Sequence, residues 1–143
     1  RADDLVGAPP LASVLERFRL FLGDSVFVAH NVKFDYGFID ASLQKCGFGM
    51  LLNRRLCTVE LARRTIEAQR YGLGSLKELL GVQNVHHRAF SDAVSCFEIF
   101  KSALSRLPWS VQSTEDLILF SKTAKSLALP KPQISGRGEG EIL

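Results

Sequence analysis

The stretch "VFVAHNVKFDYGFID", Val26 to Asp40, decides how the chain is read. Its first four residues are a β-branched and aromatic run of strand type. A polar His30–Asn31 pair follows, and "FDYGFID" then sets aromatics and aspartates at helical spacing. A buried strand therefore runs straight into a helix, with His30, Asn31 and Asp35 at the junction. In open α/β sheets, ligands bind beyond the carboxyl ends of the strands, where helices begin. Asp35 is then either a solvated acid behind a capped helix start or a carboxylate placed to hold a metal ion.

Working outward, "PPLASVLERFRLFLG" carries Leu11, Val14, Leu15, Phe18, Leu20, Phe21 and Leu22 as a helical stripe, opened by prolines and closed by Gly23. The helix of "FDYGFIDASLQKCG" is expected to turn Phe34, Phe38, Ile39 and Leu43 inward and to stop at Gly47. "RRLCTVELARRTI" reads as a second short strand around Leu56 and Cys57, running into a helix with Val59, Leu61, Ala62 and Ile66. "GSLKELLG" reads as a brief helix capped by Ser75. "AFSDAVSCFEIFKSALSRL" is the longest helix, its apolar face built from Ala93, Val94, Phe97, Ile99, Phe100, Ala103 and Leu104, with Pro108 beyond its end. "STEDLILFSKTAKSLAL" is a final helix, with Thr114 as cap and Glu115 and Asp116 in the first turn, where the helix dipole favours acids. The Pro/Gly-rich "PKPQISGRGEGEIL" is expected to be a flexible tail. Strands alternating with helices imply βαβ connectivity and a parallel strand pair. Two strands are too few for this many helix faces, so further strands are implied.

The 143 residues are 46% hydrophobic, enough for one domain and hardly for two. No apolar run approaches a membrane span and no charged-then-apolar leader is visible, so a soluble, cytoplasmic protein is expected. Cys46, Cys57 and Cys96 are isolated, which fits a reducing compartment and speaks against a zinc or disulfide framework. A net charge of +3 mildly favours a polyanionic partner. Arg54, Arg55, Arg63, Arg64 and Arg70 either steer such a partner or, with Glu60 and Glu67 interleaved, form a solvated face.

A second junction lies in "HHRAFSDA", where His87 precedes Asp92 by five residues near the start of the long helix. Singly, each motif has an ordinary structural explanation. As an ordered pair, "AHNVKFDYGFI" and "HRAFSDA" resemble two of the three signature motifs of the DEDD-type 3'-5' exonucleases, in the histidine branch. Within that family the resemblance is to the proofreading exonucleases of bacterial DNA polymerase III, whether the separate epsilon subunit or the domain inside Gram-positive replicative polymerases. It spans Pro9 to Leu107, and "LCTVELARR" and "YGLGSLKELLGV" are similar to the family's connecting segments.

The resemblance implies an α/β, ribonuclease H-like exonuclease fold over residues 1–107, then a C-terminal helix over 108–128 and a flexible tail over 129–143. It implies Asp35 and Asp92 as ligands of two Mg²⁺ or Mn²⁺ ions. His87 would be the general base, preferred over His86 by its spacing to the acid. His30, Asn31 and Phe34 would lie against the substrate. Each role suits the chemistry. Phosphodiester hydrolysis by two metals needs cations roughly 3.5–4 Å apart that clamp the attacking and leaving oxygens. Such hard cations prefer carboxylates, and a histidine titrating near ~6.5 is neutral enough to accept a proton at pH 7.

The family's first motif, an Asp-x-Glu on a strand, is missing. Asp3 and Asp4 are adjacent, and Glu139 and Glu141 sit in a glycine-rich stretch unsuited to a central strand. The fold is thus expected to lack its N-terminal strands and to be mostly helical around a short parallel pair. The expectation is a fragment of a longer protein; a short inactive product, or strands supplied by another chain, are the alternatives. The implied function is removal of 3'-terminal nucleotides from DNA during replication. RNA trimming, and a non-catalytic nucleic-acid or polymerase-binding module, stay open beside it. A replicative polymerase subunit is the implied partner. "DLILF" also resembles the short Leu/Phe motifs that bind sliding clamps, although Leu117, Phe120, Ala124 and Leu127 equally share a helical face that would pack as core.

Overall fold

In the computed structural model, which describes residues 10–83 and 88–131, six helices and a two-stranded parallel sheet are seen among the described residues. The chain divides into two units, Arg1–Thr58 and Val59–Leu143.

In the first unit, α1 (Leu11–Leu22) leads through Gly23 to β1 (Phe27–Ala29), α2 (Val32–Lys45) follows, and β2 (Arg55–Cys57) returns beside β1. The ladder pairs Phe27 with Arg55, Val28 with Leu56 and Ala29 with Cys57. Helix α2 packs on both strands, and α1 packs on α2. An aromatic chain joins the three elements. The Phe18 and Phe27 rings meet edge-on at 6.2 Å, and Phe27 and Tyr36 do so at 5.5 Å, a geometry that suits the ring quadrupoles. The inner face of α2 is Val32, Tyr36 and Leu43, so the expected inward pair of Phe34 and Phe38 is wrong: they are 67% and 70% exposed. Helical periodicity admits either stripe; the strands select the one that places Tyr36 against Phe27. β1 is not wholly buried either, since Val28 is exposed.

Loops of this unit are held by side chains that bond to backbone groups. Tyr36 shares its hydroxyl proton between the carbonyls of Leu51 at 2.9 Å and Asn53 at 2.7 Å. Arg19 donates to the carbonyls of Phe48 and, at 2.8 Å, Met50. Asn53 donates to those of Gly23 and Ser25, both at 2.8 Å. Asp40 Oδ1 accepts from the Leu51 N–H at 2.7 Å.

The second unit holds α3, whose span Thr58–Thr65 starts on the last residue of the first unit, α4 (Leu73–Leu80), α5 (Arg88–Leu104) and α6 (Thr114–Thr123). Its core is Ala62, Ile66, Ala68, Tyr71, Leu76 and Ile99. Two caps differ from expectation. Helix α4 begins after Gly72 with no side-chain cap, placing Ser75 inside the helix. Helix α6 is capped by Ser113, not Thr114, and ends at Thr123, so Ala124 and Leu127 are not on its face. Those residues belong to an extended segment whose Leu127 and Leu129 N–H groups donate to the carbonyls of Arg63 at 2.7 Å and Ala68 at 2.9 Å. The inner line of α5 is Ser91, Ser95, Ile99 and Ala103; Phe97, expected inward, is 57% exposed. No helix among the described residues is long and apolar enough to cross a membrane.

Candidate functional site

The β1–α2 junction gathers four of the candidate residues. After Ala29 the chain must leave the sheet and begin a helix at once. It does so through Asn31, at φ 64 and ψ 57, the one non-glycine residue with positive φ among those described. The left-handed region costs most residues about 1 kcal/mol or more, and asparagine is among those that bear it best. Asn31 therefore serves the junction through its backbone: its carbonyl accepts from the Phe34 N–H at 3.0 Å, and its side chain makes no capping bond. A backbone turn thus holds the start of this helix.

That turn sets Asp35 in the first turn of α2, exposed to solvent. Phe34, also exposed, has the Lys33 ammonium 5.4 Å from its ring centroid. His30 is half-buried, with Nδ1 2.7 Å from the Thr58 hydroxyl. Thr58 itself is 1% exposed. Sequence reasoning passed over Thr58 as part of a connecting segment. The available signal was position: Thr58 follows β2 as His30 follows β1.

Asp92 stands exposed on α5, in the second unit. His86 and His87 lie outside the described residues, so the general-base assignment rests on the motif. Among the described residues no group of three or more His, Cys, Asp or Glu side chains is gathered. Asp35 and Asp92 each offer oxygen donors of the kind a divalent cation takes. Of the basic candidates, Arg55 stacks on Tyr36 with its guanidinium carbon 4.5 Å from the ring centroid. Arg63 lies over Tyr71 at 5.5 Å, and Arg64 donates to the carbonyls of Ala124 and Lys122. These three have structural work, which favours a solvated, self-engaged face over a dedicated track for a polyanion.

Residues 1–100 match the family model described as an exonuclease. The DNA polymerase III PolC-type proteins of Staphylococcus aureus, including strains MW2 and USA300, are 42% identical over 100 residues. That match takes in 68% of this chain and about 7% of the length of those curated relatives.

Proposed function

Because this chain belongs to the exonuclease family, and within it to the 3'-5' exonucleases, we propose that it removes nucleotides from the 3' end of DNA as the proofreading part of a replicative polymerase. The observation that carries this reading is the junction itself. A left-handed Asn31 ends the strand, and Asp35 stands exposed one turn on, within the H-N-x-x-F-D motif. The proposed exonuclease domain is residues 1–107, followed by a C-terminal segment over 108–128 whose helical part is α6, Thr114–Thr123, and a tail beyond.

Enzymes of this family use divalent metal ions. We propose two, Mg²⁺ or Mn²⁺, which when bound supply the positive charge that a phosphodiester needs as it is attacked. Asp35 and Asp92 would hold them in part. His87 would take the proton of the attacking water, and Phe34, exposed beside Lys33, offers a ring on which a terminal base can stack. His30 and Asn31 would flank the same nucleotide. A polymerase subunit is the proposed partner, through residues after Leu107, and the cytoplasm the proposed setting. A sliding clamp would find Leu119 of "DLILF" exposed, whereas Leu117 and Phe120 are half-buried in α6.

In an active form of the enzyme, Asp35→Ala and Asp92→Ala should each abolish nearly all cleavage of a mismatched DNA primer while leaving the fold intact, since both acids are exposed. Near-normal turnover in saturating Mg²⁺ by either variant would refute the ligand assignment. His87→Ala should lower turnover by ~10²–10⁴-fold, the usual share of a general base, and should remove the acidic limb of the pH–rate profile. His86→Ala should be mild; the reverse pattern would place the motif one residue out of register. Faster cleavage of RNA oligomers than of DNA primers would reassign the substrate. Metal-dependent retention of primer without cleavage would make the chain a binding module. The 143-residue chain alone should bind metal weakly and cleave poorly, because two carboxylates leave the clamp half built.

A further inference from the structure

The parallel ladder ends with the pairing of Ala29 and Cys57. One residue further along each strand, the next rung would face His30 with Thr58. The strands no longer pair there, because Asn31 turns into the left-handed region and α3 begins at Thr58. A side-chain bond takes the place of the rung: His30 Nδ1 and Thr58 Oγ1 are 2.7 Å apart, 28 positions apart in sequence. The threonine is buried and the histidine only half so. The anchor is thus on the inner side of the contact, and the ring on the side nearer solvent. A β-branched side chain has few rotamers, so Oγ1 is a stiff fixture. A bond to one imidazole nitrogen also decides the protonation of the other.

Resting on the exonuclease reading, we propose that Thr58 is a positioning residue for 3'-end cleavage: its hydroxyl fixes the orientation and tautomer of His30 against the 3'-terminal nucleotide. Thr58 acts through His30 and does not itself meet the substrate. A threonine that merely opened α3 would stabilise that helix and leave the imidazole indifferent to its loss. The two roles therefore separate at the ring nitrogens of His30.

The test uses the ¹⁵N-labelled 143-residue chain, with His30 assigned through His30→Gln and the fold checked by amide dispersion. Thr58→Val keeps the volume and removes the hydroxyl; Thr58→Ser keeps the hydroxyl. The Nδ1 resonance of His30 should move in the valine variant and stay near its native position in the serine variant. Thymidine 5'-monophosphate with Mg²⁺, both titrated far into the millimolar range because two carboxylates hold the ions weakly, should shift the ring resonances in the native chain and the serine variant. It should bind about 10-fold more weakly to the valine variant, the upper end of what one neutral hydrogen bond contributes. An unmoved Nδ1 in Thr58→Val, or equal nucleotide binding in both variants, overturns the proposal for Thr58. A native His30 that ignores the nucleotide while still bonded to Thr58 overturns the exonuclease reading of this site, and the role of Thr58 with it.

Discussion

The two units are held by different means. In the first, chain between regular elements is fixed one group at a time: Tyr36, Arg19, Asn53 and Asp40 each reach backbone atoms of the loops around Gly23 and residues 48–53. In the second, side chains from α3, α4, α5 and the α3–α4 connection meet in one apolar cluster. Hydrogen bonds finish the job there, with Tyr71 donating to the Ile66 carbonyl and accepting from the Ala68 N–H. The Leu127 N–H satisfies one carbonyl in the last turn of α3, a group that has no partner within its own helix. The difference teaches where specificity has to be spelled out. A helix repeats, so a periodic apolar pattern suffices to place it. A loop does not repeat, so each carbonyl it buries needs its own donor.

The sharpest way to break this contrast is to remove one piece of each kind and compare the losses. Leu76 is fully buried in the apolar cluster. Leu76→Ala should destabilise the protein by about 2–5 kcal/mol, the transfer and cavity cost of such a truncation, read from the urea midpoint of unfolding. Tyr36→Phe keeps the ring against Phe27 and Arg55 but strips the proton shared by two carbonyls. Its expected cost is about 1–3 kcal/mol, the penalty of buried acceptors left without a donor. Should Tyr36→Phe cost more than Leu76→Ala, the polar stitching would be the main support of the chain and the contrast would fail.

The same distinction explains what was legible in the sequence. Among the described residues, the two strands, their parallel order and the six helices lay open to periodicity and breaker residues. The inward face of α2 did not. Phe34 and Phe38 are more hydrophobic than Tyr36, so the pattern favours them, and only the strand pair decides for Tyr36. At Asn31 the pattern shows only a polar residue between strand and helix, and the positive φ of its left-handed turn is not written in it. Thr58 was hidden because it is an unremarked residue until the register of β1 and β2 sets it beside His30. The serines on the inner line of α5 were hidden for the converse reason: small polar residues do not register in an apolar stripe, yet Ser91 and Ser95 are buried.

The smallest expected effect sharpens the contrast at the far end of the second unit. Helix α6 contributes no residue to the apolar cluster, so its start must rely on local chemistry. Ser113 Oγ accepts from the Asp116 N–H at 3.0 Å, and Asp116 Oδ2 accepts from the Gln112 N–H at 3.1 Å. Two backbone donors near the helix start are thereby satisfied by two short side chains, and Glu115 and Asp116 also complement the helix dipole. Ser113→Ala removes an N-cap acceptor and should cost about 1 kcal/mol. Thr114→Ala, at the first helical position, should be neutral or slightly stabilising, because alanine is the better helix former. Both are read as shifts in the urea midpoint, with amide exchange at Asp116 reporting the cap directly. A larger loss at Thr114 than at Ser113 would move the cap by one residue, to the place that the sequence alone suggested. It would also leave the Asp116 N–H bond with no energetic role.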